Sequence, residues 1–126
     1  MEKQIEKQQY KQYKAIGRGY PFGYKKAINE YAEMLNSKRF EQYRPLLEER
    51  KQANELLFKY DKLVKTNWKL AKAKIVVEAL DLKEKSEKYR LLYGMDSQTY
   101  NILKTKIKVL EFMCMILPNL EEGDEI

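Results

Sequence analysis

Residues 98–117 read QTYNILKTKIKVLEFMCMIL. Within them Leu103, Ile107, Leu110, Cys114 and Leu117 recur at spacings of four, three, four and three. That is the period of one helix face, not the alternation of a strand. Phe112, Met113 and Ile116 widen the stripe until the end of the segment is apolar nearly all round. Such a surface has to be covered, by other helices or by another subunit. The segment therefore predicts a long helix and a bundle around it.

Working outward, Asp96-Ser97 offers an N-cap for this helix, and Pro118-Asn119 ends it. Gly94, after Leu91-Leu92-Tyr93, reads as the stop of the preceding helix. In that helix Leu70, Ala71, Ile75, Val76, Ala79 and Leu80 form a second stripe. With Leu46, Leu47, Leu56, Leu57 and Leu63 the two stripes make a helical-bundle core. Pro45 suits the first turn of a helix, where its missing N–H costs nothing. Between these marks the chain is rich in Glu, Lys, Leu, Gln, Ala and Arg, all helix formers. Helices are expected at about 2–16, 24–37, 45–65, 67–92 and 98–117. The division near Thr66-Asn67 is open, and 45–82 could be one long helix. The expected organisation is all-α: a basic N-terminal helical arm with a Gly/Pro hinge (1–23), a bundle of about four helices (24–120) and an acidic tail (121–126).

The chain has 126 residues, room for one domain, and 25 basic against 19 acidic residues. It has no His and a single Cys, Cys114. That removes His/Cys zinc sites, Ser–His and Cys–His nucleophiles and an internal disulfide. Glu48-Glu49 and Glu121-Glu122 are adjacent pairs whose carboxylates diverge on a helix, so neither resembles an acid–base dyad. There is no Walker loop and no dinucleotide fingerprint. The expectation is a binding protein rather than an enzyme, with no cofactor and no metal. Cys114 lies on the apolar stripe and reads as a small core residue. The polar N-terminus lacks the apolar core of a signal peptide, and the longest apolar run, Phe112 to Leu117, is far too short to span a bilayer. Cytosolic synthesis without a membrane anchor is expected.

The first helix differs from the others. Lys3, Lys7, Lys11, Lys14 and Arg18 follow at spacings of four, four, three and four. On a helix they share an arc of roughly 80°. Gln4, Gln8 and Gln12 run beside them, and only Ile5, Ala15 and Ile16 are aliphatic. A helix without an apolar face cannot be held by packing, and a segment of ~15 residues is marginal alone. It needs an outside partner to order it. After the break at Gly17-Arg18-Gly19-Tyr20-Pro21-Phe22-Gly23 come Lys25 and Lys26. A second row, Lys62, Lys65, Lys69 and Lys72, surrounds the only Trp, Trp68, in a run free of acids from Lys62 to Val77. Lysines and arginines in rows suit nucleic-acid phosphates, and Gln and Tyr add neutral hydrogen bonds to phosphate and sugar. The plainer reading is that such rows are solvated faces. Tyr31, Phe40 and Tyr43 read as core or interface residues rather than base-stacking platforms.

This layout resembles the major coat proteins of filamentous archaeal viruses. The resemblance rests on the arm around Lys3-Lys7-Lys11-Lys14-Arg18, the turn at Gly17 to Gly23 and the apolar bundle end at Leu110 to Leu117. It covers the architecture from end to end and includes no diagnostic motif. It implies a subunit whose arm wraps duplex DNA without reading bases, and whose bundle packs on neighbours in a virion shell. A homo- or hetero-oligomer through the C-terminal helix and the Tyr-rich segment is expected. Two other readings compete. One is a helical adaptor, such as a phage-encoded regulator or inhibitor of a host protein. The other is a sequence-specific regulator, for which the Gly-Arg-Gly-Tyr-Pro turn is longer than a helix-turn-helix allows.

Overall fold

A computed structural model of the chain describes residues 19–21, 23–37 and 47–120. Among the described residues there are four helices and no strand: α1 (Tyr24–Asn36), α2 (Leu47–Lys59), α3 (Asp61–Tyr93) and α4 (Gln98–Ile116). The chain is an all-α small bundle, as its periodicity requires. The helix expected over 2–16, residues Phe40, Tyr43, Pro45 and Leu46, and the acidic tail lie outside the described residues.

The two long helices form an antiparallel hairpin. Gly94 ends α3 at φ 83°, where a side chain would be strained, and its N–H closes on the Arg90 carbonyl at 3.0 Å. Ser97 then caps α4: its Oγ accepts the Tyr100 N–H at 3.2 Å. The seam on α3 runs through Val64, Trp68, Ala71, Ile75, Ala79 and Ser86, all buried. On α4 the same core takes in Val109, Leu110 and Met113, with Leu117 just past the helix end, while Tyr100, Leu103 and Ile107 are buried nearer the turn. Spacings of three and four on both helices bring Ile75 and Ala79 into one core with Val109, Leu110 and Met113. α2 lies along α4, and α1 completes the bundle against α2 and α4.

Two breaks shape the polypeptide between 45 and 93. Tyr60, at φ −97° and ψ 6°, separates α2 from α3, a division the sequence reading did not anticipate. Asn67, at φ −154° and ψ 78°, kinks α3 at the division left open. Its Oδ1 accepts the Leu70 N–H at 3.2 Å, so it caps the helix that continues beyond it. An Asn cap of this kind contributes about 1 kcal/mol. The kink also releases carbonyls of the preceding turn, and that of Lys65 accepts the Gly19 N–H at 3.0 Å.

Several core expectations are corrected. Leu56 and Leu57 are buried, and Leu63 is half-buried against the core. Leu47 is exposed, and so are Val76 and Leu80 of the second stripe. Only the Ala71–Ile75–Ala79 side of that stripe turns inward. The apolar end of α4 is covered largely by its own bundle. Val109, Leu110 and Met113 are fully buried, and Phe112 stacks on Tyr31 with ring centres 4.5 Å apart. Met115 remains exposed. Trp68 is buried rather than displayed among the lysines.

Candidate nucleic-acid interface

The chain enters the described structure at Gly19, pinned to α3 by its bond to Lys65. Tyr20 follows, and its hydroxyl donates to Asp61 Oδ2 at 2.6 Å. Pro21 is buried, and Gly23 at φ 77° turns the chain into α1. Residues 19–21 are therefore a strap across the start of α3. Lys3, Lys7, Lys11, Lys14 and Arg18 lie outside the described residues.

The other predicted cations separate into two groups. Lys26, Lys62 and Lys65 have exposed side chains. Lys25 is held by the bundle. Its Nζ reaches Asp61 Oδ1 at 2.7 Å and lies 5.3 Å from the ring centres of both Tyr20 and Phe58. The hydrogen bond to Asp61 is the main reason its pKa is raised. Lys69 lies over the Trp68 ring, 5.8 Å from its centre. Lys72 is committed to structure: its Nζ donates to the Pro118 carbonyl at 2.8 Å and the Leu117 carbonyl at 3.4 Å. Those carbonyls follow the C-terminal end of α4, where a cation is favoured. Burial pulls the Lys72 pKa down. The row Lys62–Lys65–Lys69–Lys72 is thus not one continuous edge, because the Asn67 kink interrupts it and its last member caps another helix.

These assignments separate by mutation. Lys72→Met is expected to destabilise the fold by about 1–2 kcal/mol, through the lost charge-assisted bonds at the end of α4. Lys62→Ala and Lys65→Ala, on an exposed surface, are expected to stay within about 0.5 kcal/mol. Urea melts of the three variants check this, and an equal loss in all three would refute the division.

Two acids hold the site's surroundings. Burial pushes the Asp61 carboxyl up, but hydrogen bonds from Lys25 and Tyr20 outweigh it, so the pKa is lowered. Glu78 behaves alike: burial raises it, and Lys59 and Tyr60, both hydrogen-bonded to it, bring it below the usual value. A carboxyl lowered in the folded state adds stability above its unfolded pKa and loses it as pH falls through the folded value. The melting temperature is therefore expected to fall on acidification below about pH 4. Asp61→Asn should flatten that slope, and an unchanged slope in Asp61→Asn together with Glu78→Gln would count against it.

The Cys114 thiol is half-buried, and burial pushes its pKa up, which suits the packing role expected of it. Among the described residues no group of three or more Cys, Asp or Glu side chains could hold a metal ion. No described helix is long and apolar enough to cross a membrane. Sequence reasoning missed Asp61, which anchors the strap, although it is the last acid before the acid-free run. It placed a division near Asn67 but did not assign that residue its capping role. No known protein family, curated protein or solved structure matches this chain.

Proposed function

We propose that this protein binds duplex DNA without regard to sequence and serves as a structural, coat-type subunit. Support comes from one observation above all. Gly19 is pinned to Lys65, so the described structure begins beside the exposed Lys62 and Lys65, directly after the sequence that holds the five cations at positions 3 to 18. The arm and the acid-free part of α3 then offer one cationic tract, suited to phosphates by charge rather than by base contacts. Viral origin and a virion shell follow from the resemblance of the layout, not from the geometry. The test is electron microscopy of the purified chain with and without linear duplex DNA. Filaments or regular coating that require DNA and ignore its sequence support the reading. Absence of any DNA association at low salt defeats it.

A second reading, a protein-binding regulator, draws on the hairpin tip. Leu91, Leu92, Tyr93 and Met95 are 63–73% exposed there. It predicts a stable 1:1 complex with a protein and no salt-dependent affinity for DNA.

A further inference from the structure

Asp61 is a single carboxylate in a cationic corner. It is the only acid from Leu56 to Val77, and the segment from Lys7 to Asn29 has none. The two stretches meet through the bond between Gly19 and Lys65. Both carboxylate oxygens are taken. Oδ1 accepts from Lys25 Nζ at 2.7 Å, and Oδ2 accepts from the Tyr20 hydroxyl at 2.6 Å. The charge of Lys65, one turn further along α3, also bears on Asp61. Lys62 is its chain neighbour, and both Lys62 and Lys65 are exposed. The Lys25 and Asp61 side chains are themselves 38% and 28% exposed, so an anion from solution can reach the donors.

An ordinary surface ion pair ties two flexible side chains together and contributes little. Here the cation is held independently of its acid. Lys25 Nζ lies 5.3 Å from the ring centres of both Tyr20 and Phe58. Those two contacts do not involve Asp61, so they keep Lys25 in place when the carboxylate charge is removed. What Asp61 fills is a seat for two oxygens of an anion, with an ammonium and a hydroxyl donating into it and two more lysines alongside. Lysine and tyrosine donate in the same way to the oxygens of a nucleic-acid phosphate. With Asp61 in the seat, its charge cancels that of one lysine and repels a phosphate that approaches the others.

We propose that Lys25 and the Tyr20 hydroxyl form a phosphate seat that Asp61 fills in the free chain, so that Asp61 holds down the affinity of the adjoining cationic tract for DNA. The inference rests on the DNA reading and adds an internal competitor to that site. Lys26, Lys62 and Lys65 meet phosphate directly, whereas Lys25 has first to be released.

The test is the anisotropy of a labelled linear duplex titrated with the full chain over a salt series. Asp61→Asn removes the charge and makes one more cation available. The slope of log K against log salt should steepen by about 0.9, with affinity raised about tenfold at 50 mM salt and about threefold at 200 mM. Asp61→Asn/Lys25→Met should return to the wild-type slope, since methionine keeps an apolar stem over the two rings without the charge. Asp81→Asn makes the same change of net charge about 30 Å along α3 and should leave the slope where it is. Should Asp61→Asn lose its helical circular dichroism, Asp61→Ser, which keeps a hydroxyl at the start of α3, replaces it in both variants. A wild type that binds while Asp61→Asn keeps its slope overturns this inference alone. So does a gain that persists in Asp61→Asn/Lys25→Met, or one that Asp81→Asn reproduces. A duplex left free by the wild type and Asp61→Asn alike at low salt overturns the DNA reading, and this inference with it.

Discussion

Deleting residues 1–18 is expected to remove most of the affinity for duplex DNA and more than half of its salt dependence. The cationic tract comprises Lys3, Lys7, Lys11, Lys14, Arg18, Lys26, Lys62 and Lys65. If each neutralises one phosphate, log K falls with log salt at a slope of about −7. Between 50 and 200 mM salt the affinity then drops about 10⁴-fold. The deletion leaves three of the eight cations, so the slope becomes about −3 and the same change of salt costs only about 40-fold. Duplexes of unrelated sequence should bind alike, because phosphate contacts carry no base information. Fluorescence anisotropy over a salt series checks all three statements. Binding that survives the deletion with its slope unchanged would refute the arm. A marked preference for one duplex would refute sequence independence. Lys25, Lys69 and Lys72 are excluded from the count because Asp61, the Trp68 ring and the carbonyls after α4 hold them.

Leu110→Ala is expected to cost about 2–5 kcal/mol, while Leu80→Ala costs less than about 0.5 kcal/mol in dilute monomer. Both leucines lie on apolar stripes of long helices. Leu110 is 0% exposed at the centre of the bundle, so its loss leaves a cavity among residues that cannot fully collapse. Leu80 already meets water over most of its surface. A domain this size has about 5–15 kcal/mol in total, so Leu110→Ala removes a large share of it. Urea unfolding at low protein concentration separates the two. Equal losses would mean that the outer face of α3 is packed within the chain.

The helices were the most legible part of the sequence. α1 and α4 fall within one residue of their expected bounds, since Gly23, Gly94, Ser97 and Pro118 are local signals. The kink at Asn67 sits where the pattern left a division open. The break at Tyr60 had no Gly or Pro to mark it, and it leaves the hydroxyl of Tyr60 bonded to Glu78 across the bend. The site was read less well. A lysine row counts cations but not their partners. Lys25 and Asp61 are 36 residues apart, and Lys72 and Pro118 are 46 apart. No spacing rule reaches so far.

The sequence alone determined that this protein is helical, that α4 must be enclosed, and that its positive charge concentrates near the N-terminus and along 62–77. Those properties follow from residue type and short periods, which act within a few turns of chain. Tertiary structure decided which stripe of α3 is core. Ala71, Ile75 and Ala79 are buried in one core with Leu110 and Met113, whereas Val77 and Leu80 are exposed. It also decided that Lys62 and Lys65 lie exposed at the surface while Lys72 closes the end of another helix. A three-and-four spacing fits both stripes of one helix equally, and only the neighbour that arrives selects between them.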